Sequence, residues 1–106
     1  HDLAEMWISL EAARGLCYRA ACTAVDGKYP RLMDVTAAKV FSNDVALKVT
    51  QKAMILHGGD GATMNFPIQR LWRDAMAGGP VAGGSPAVLR NMIASQILNR
   101  KLDQRK

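Results

Sequence analysis

Aromatic residues are scarce in this sequence, with two each of Phe, Trp and Tyr among 106 residues. Alanine and methionine are plentiful instead, a mixture that favours closely packed helices over strands. No apolar run reaches the roughly 18 residues that a membrane-spanning helix needs, and no secretory leader is expected. Cysteine is limited to Cys17 and Cys22. Five apart on one expected helix, they rise by about 7.5 Å and point to different faces, so they cannot bridge each other. Buried, reduced thiols are expected, as suits a cytoplasmic protein. His1 and His57 are too isolated for a metal site. No nucleophile elbow surrounds Ser9, Ser42, Ser85 or Ser95, and no paired carboxylates flank a loop.

What is present is an ordinary soluble composition, 49% hydrophobic and 22% charged, which argues against disorder and supports one domain with a modest core. Lys and Arg total 14 against 9 Asp and Glu, a net charge of +5. The cations are scattered except for Arg100, Lys101, Arg105 and Lys106 at the C-terminus. That pattern reads as a basic tail, and no nucleic-acid partner is expected.

Apolar residues at Leu3, Met6, Trp7, Leu10, Ala13, Cys17, Ala20, Ala21 and Ala24 have helical spacing, predicting a helix over about 2–26. Asp2 is a candidate N-cap, Gly27 a natural stop, and Pro30 blocks continuation. A second helix spans 32–56, apolar nearly all round and therefore expected to be largely buried. Pro67 opens a shorter helix over about 67–77. Ser85 reads as an N-cap and Pro86 as the first residue of a last helix over about 86–102, with Leu89, Met92, Ile93 and Ile97 as its stripe. No strand signal or internal repeat appears. The class is all-α, an antiparallel helical bundle.

Two glycine-rich breaks carry the chemical interest. "HGGDG" at 57–61 ends a helix rather than following a strand and lacks the Gly-Lys-Ser/Thr ending of a phosphate-binding P-loop. It serves as a helix cap or as a ligand contact. "AGGPVAGGSPAVLR" at 77–90 sets four glycines before a helix N-terminus, where free N–H groups suit an anion or a polar ligand edge. Between the breaks, Arg70 and Arg73 share a helix face with Asp74, as an exposed ion-pair cluster or as a buried clamp.

These stretches resemble a family. "ILHGGDGATMNFPIQRLWRDA", followed closely by "GGSPAVLR", is similar to the end of the acyl-CoA dehydrogenases. Their pattern is Gln-x-x-Gly-Gly-x-Gly-(Tyr/Phe), a proline, Arg-Asp-Ala, and Glu-Gly-Thr before the last long helix. "LAEMWISLEAARGLCYRAACTAVDGK" and "AAKVFSNDVALKVTQKAM" resemble the two preceding helices, so the likeness covers nearly the whole chain. It implies the later helices of a C-terminal four-helix bundle, with residues 1–106 as a partial domain. The amphipathic stripe already running at Leu3 is then the continuation of a longer helix.

Carried over by position, the resemblance implies that Ile55, Leu56, His57, Gly58 and Gly59 contact FAD bound mainly to a neighbouring subunit. Ile55 stands where the family usually has glutamine. Ser85 would face the flavin, with Pro86 and Ala87 along the cofactor, and Gly84 beside the acyl thioester. Gly83 replaces the glutamate that takes the substrate's α-proton in much of the family, and one extra residue separates Arg-Asp-Ala from this motif. The chain then contains no catalytic residue. A branch that includes isovaleryl-CoA dehydrogenase draws its base from an earlier helix.

The function implied is that of an FAD-dependent acyl-CoA dehydrogenase of fatty acid metabolism, oxidising an acyl-CoA to the 2,3-enoyl-CoA. The whole protein would be a homotetramer or dimer, with electron-transfer flavoprotein as acceptor and no membrane span. The alternatives are a family flavoprotein with monooxygenase or desulfinase chemistry, which needs no base there, and a cofactor-free helical interaction module.

Overall fold

In a computed structural model, which describes residues 1–102 without the side chains of residues 80 and 81, the described residues form four helices and no strand. They are α1 (Asp2–Cys22), α2 (Leu32–Leu56), α3 (Ile68–Val81) and α4 (Pro86–Ile97), with a 3₁₀ turn at Gly58–Ala62. α2 is the centre. α1 runs antiparallel along one side of it, and α3 and α4 follow one another along the other.

Ion pairs fasten α1 to both ends of α2. Asp34, in the first turn of α2, receives Arg31 Nε at 2.9 Å and Arg19 of α1 at 3.2 Å. At the far end Lys52 lies 2.9 Å from Asp2. The hydrogen bond to that carboxylate, and then its charge, hold the Lys52 amine above its usual value. Asp2 is thus the first helical residue rather than the expected cap, and N-cap position His1 makes no side-chain cap.

Three helix ends differ from expectation. α1 stops at Cys22, because Thr23 Oγ1 donates to Ala20 O at 2.6 Å while accepting from Arg31 N at 2.8 Å. The turn beyond holds Asp26 and Gly27 at positive φ. α4 ends at Ile97 rather than near 102. Asn99 turns left-handed at φ +47, and Arg100 N and Asn99 N bond back to Ser95 O and Gln96 O, the Schellman closure. α3 instead runs on through Gly78 and Gly79 to Val81. A residue before proline normally avoids helical backbone through a clash at its Cβ, and Gly79 has none.

The core is thin. Ala13, Ala20, Ala38, Val45, Ile68 and Leu89 are its buried apolar members, joined by Thr36, whose hydroxyl donates to Leu32 O. α2 buries only Thr36, Ala38 and Val45, not most of its surface: α1, α3 and α4 leave Phe41, Ile55 and Leu56 exposed. Both cysteines are exposed rather than buried, since α1 buries only Ala13 and Ala20, and Cys17 Sγ lies 3.4 Å from Ser42 Oγ. Leu3 and Trp7 are 72% and 64% exposed. The radius of gyration, 16.5 Å, exceeds the roughly 13 Å expected for a closed domain of this length.

A contiguous apolar stripe of this kind seeks cover. The 106-residue chain alone should self-associate or melt at low temperature, as read by light scattering after size exclusion and by circular dichroism. A monodisperse monomer with a sharp, high melt would show that these helices complete a domain by themselves.

Candidate functional site

The first candidate stretch caps α2. His57 closes the helix, with its N–H on Ala53 O and its Nδ1 2.7 Å from the same carbonyl. Gly58 follows at φ +60, the left-handed conformation that ends helices and that glycine adopts without strain. The 3₁₀ turn then folds back onto α2. A Cβ at Gly61 would lie 2.6 Å from Met54 O, so this glycine is required by close approach. Around Gly59 nothing lies within 4 Å of a Cβ. His57 meets Phe66 edge to face at 5.5 Å. Ile55, Leu56, His57, Gly58 and Gly59 are all exposed, and Leu56 and His57 line an apolar cleft of about 460 Å³ with Leu3, Met6 and Ala53.

The second stretch opens α4. Ser85 is its N-cap, accepting from Val88 N at 3.3 Å, which leaves its hydroxyl proton free to donate elsewhere. Gly83 and Gly84 take φ of +84 and +103, values that L side chains rarely adopt. Ser85 and Pro86 are half-buried, whereas Gly83, Gly84 and Ala87 are exposed. The four glycines therefore divide into two in the last turn of α3 and two needed for backbone direction. A Cβ on Gly84 would make only ordinary contact, 3.5 Å, with Leu89.

Beneath this loop lies a group that the sequence left among its scattered cations. Among the described side chains, Lys39 Cε is the one neighbour within 4 Å of a Cβ at Gly83, at 3.4 Å. Its amine donates to Asn43 Oδ1 at 3.0 Å, and Asn43 Nδ2 reaches Gly79 O at 3.5 Å. The i, i+4 spacing of Lys39 and Asn43 on α2 is the signal that could have marked them. Asn43 also lines a cleft of about 240 Å³ with Asp44, Leu47, Ala75, Met76, Gly79 and Pro86.

The chain does not bring its two candidate stretches together. Lys39, under the second, and Ile55, in the first, lie sixteen residues apart on α2, about 24 Å at helical rise. Arg70 and Arg73 line a separate cleft of about 370 Å³ with Asn65 and Phe66. Both arginines and Asp74 are exposed, and among the described residues no ion pair joins them, so neither expected arrangement of that cluster forms. The larger cleft at Arg31–Asp34 and Gln96 touches none of the expected site residues. Trp72 Nε1 is buried without a hydrogen-bond partner. Among the described residues no helix is long and apolar enough to cross a membrane, and no cluster has metal-ligand composition.

This helical arrangement, with its glycine caps, belongs to a known family. Residues 1–98 match the family model described as "Acyl-CoA dehydrogenase, C-terminal domain", and the chain is a member of the acyl-CoA dehydrogenase family. It is 36% identical over 104 residues to a 3-sulfinopropanoyl-CoA desulfinase of Paraburkholderia xenovorans, covering 98% of this chain and 26% of that protein. It is 44% identical over 73 residues to a short-chain-specific acyl-CoA dehydrogenase of Megasphaera elsdenii, covering 69% and 19%. A solved structure described as the electron transferring flavoprotein of Acidaminococcus fermentans, towards a mechanism of flavin-based electron bifurcation, is similar in fold. Its chain superposes with a TM-score of 0.83 at 34% identity, covering 92% of this chain and 25% of that one. The chain spans about a fifth to a quarter of these relatives' length.

Two glycine substitutions separate conformation from crowding. Gly61→Ala should destabilise the protein by about 1–3 kcal/mol, because its Cβ would meet the Met54 carbonyl, whereas Gly59→Ala should change stability by less than about 0.5 kcal/mol. Gly83→Ala should cost about 1–2 kcal/mol through its left-handed backbone alone. Urea denaturation of the three variants reads all three values.

Proposed function

We propose that this chain is the C-terminal part of an FAD-dependent enzyme acting on acyl-CoA thioesters, with dehydrogenation to the 2,3-enoyl-CoA as its reaction. The observation that carries the reading is the pair of left-handed glycines, Gly83 and Gly84, directly before the Ser85 N-cap of α4. A loop bare of side chains lets a flat or bulky ligand approach its backbone. FAD supplies the two-electron acceptor for this chemistry. The residues that would hold it are Ile55–Gly59 in one subunit and Ser85, Pro86 and Ala87 in another. They fit as partial walls: Ile55 is 65% exposed, Gly59 faces open space, and the Ser85 hydroxyl keeps a proton to donate. A separation of about 24 Å along α2 supports a site completed by a second subunit in a homotetramer or dimer. Electron-transfer flavoprotein is the proposed acceptor and the cytoplasm the proposed compartment.

Within that site the chain's own residues orient rather than react. Gly84 lies beside the thioester, and Ser85 fixes the start of α4 while offering its hydroxyl. Gly83 has no group that takes a proton, and Asp74 is exposed on α3. General-base catalysis contributes about 10²–10⁴-fold, too much for a dehydrogenase to forgo. The base of the whole protein is therefore placed upstream of His1, its carboxylate reaching the space above Gly83 and Gly84. A second reading, desulfination of an acyl-CoA, is favoured by the same observation, since a loop whose backbone demands glycine suits chemistry without a base there.

Anaerobic bleaching of the whole protein's flavin by short, branched and aromatic acyl-CoAs decides between them. Bleaching by one of the panel is expected, with near-complete loss when the upstream carboxylate is neutralised and a mild effect of Gly83→Ala on the chemical step. A correctly folded, yellow protein that none of them bleaches would transfer the assignment to the desulfinase or monooxygenase relatives.

The isolated chain, holding only separated walls of the site, should bind FAD more weakly than micromolar. Titration calorimetry giving micromolar or tighter binding would contradict the shared-site reading.

A further inference from the structure

We propose that one end of the bundle, where the 23–31 loop, the first turn of α2 and the C-terminus of α4 meet, docks on an anionic phospholipid surface. Docking of this kind lays the protein on the headgroups and needs no spanning helix. It requires neither flavin nor acyl-CoA chemistry.

Three segments are joined at this end. Thr23 Oγ1 accepts from Arg31 N at 2.8 Å, which closes the 23–31 loop at its base. Arg19 of α1 reaches Asp34, in the first turn of α2, at 3.2 Å. A cleft of about 510 Å³, lined by Arg31, Leu32, Met33, Asp34 and Gln96, sets the start of α2 beside the end of α4. Gln96 is also a wall of the adjoining cleft, with Ser95, Asn99, Arg100 and Lys101.

Charge collects here. Arg19, Lys28, Arg31, Arg100 and Lys101 are all exposed, against two carboxylates, Asp26 and Asp34. This end therefore holds most of the chain's net charge of +5. Asp34 is already paired with both Arg19 and Arg31, and among the described residues no ion pair engages Lys28, Arg100 or Lys101.

Apolar exposure coincides with the charge. Tyr29 is 97% exposed in the loop, and Val25, Leu32, Met33, Ile97 and Leu98 are exposed in the same three segments. An amphipathic ring between Lys28 and Arg31 suits the headgroup level of a bilayer, where aromatic and basic side chains gather. The cations select the occupant. A second copy of this end would bring like charges together, which is costly. Nucleic acid would match the charge but offers no hydrocarbon layer to the leucine, methionine and isoleucine side chains.

Co-sedimentation of the whole flavoprotein with vesicles tests the docking, using phosphatidylcholine alone and phosphatidylcholine mixed equally with phosphatidylglycerol. The mixed vesicles should bind at least about tenfold more tightly, since each basic residue near an anionic surface contributes about fivefold. Raising the salt from about 0.1 M to about 0.5 M should remove most of that preference. Lys28→Glu combined with Lys101→Glu should weaken binding to the mixed vesicles at least about tenfold. Tyr29→Ser should weaken it at least about threefold, and Tyr29→Trp should keep it. All three side chains are exposed, so the variants should melt as the wild type does. A wild type without preference for the anionic vesicles overturns the proposal, as does a preference that survives the charge reversal. Binding that Tyr29→Ser leaves unchanged, or equal binding to duplex DNA, would show attraction by charge alone and overturn the lipid assignment.

Discussion

Everything in this chain is fastened to one helix. α1, α3 and α4 pack on α2 and scarcely on one another, so α2 is the shared wall on which both glycine stretches are located. The contact is close because the buried positions are small: Ala13 and Ala20 on α1, Ala38, Thr36 and Val45 on α2. Small residues allow helices to approach but bury little area each, so the interface depends on extent rather than on any large anchor. Charges at the two ends set the register. Arg19 and Arg31 converge on Asp34, and Lys52 meets Asp2, one pairing near each end of α1. A slip of one turn would separate both α1 pairs.

Much of this was legible in the sequence, for identifiable reasons. Helical periodicity located all four helices, and Ser85-Pro86 gave the start of α4 from cap chemistry alone. The limits of three helices were not legible, because side chains at their ends make bonds that periodicity does not contain. Thr23 bridges to Arg31 across the loop, and Asn99 adopts the left-handed conformation expected more often of glycine. Gly78 and Gly79 misled in the other direction, since a glycine run reads as a loop although helical backbone tolerates it at about 1 kcal/mol each. Burial was misjudged for a simpler reason. Apolar spacing says which face seeks cover, not whether this chain provides the cover, and Cys17, Cys22 and much of α2 remain outside.

At the candidate site, the glycines were readable and their separate tasks were not. Gly58 is needed for its conformation, Gly61 because the 3₁₀ turn lies against Met54, and Gly59 for neither reason within this chain. A run of like letters thus conceals two different physical requirements and one position with neither. Lys39 was hidden more thoroughly. As a single letter it is one of fourteen basic residues, and only folding sets its stem beneath Gly83.

That juxtaposition constrains how the loop relates to its family. A glutamate at position 83 would sit at φ +84, in backbone that L residues occupy at a cost of about 1–2 kcal/mol. Its first side-chain carbon would rest at 3.4 Å on the Lys39 stem, bringing a carboxylate toward the cation. Opposite charges at such range favour the ionised carboxylate and lower its basicity. Installing the acid here by one substitution would thus produce a strained residue and a weaker base. The left-handed glycine at 83 and the Lys39 stem of α2 beneath it fit together as one arrangement, in which position 83 itself carries no group that takes a proton.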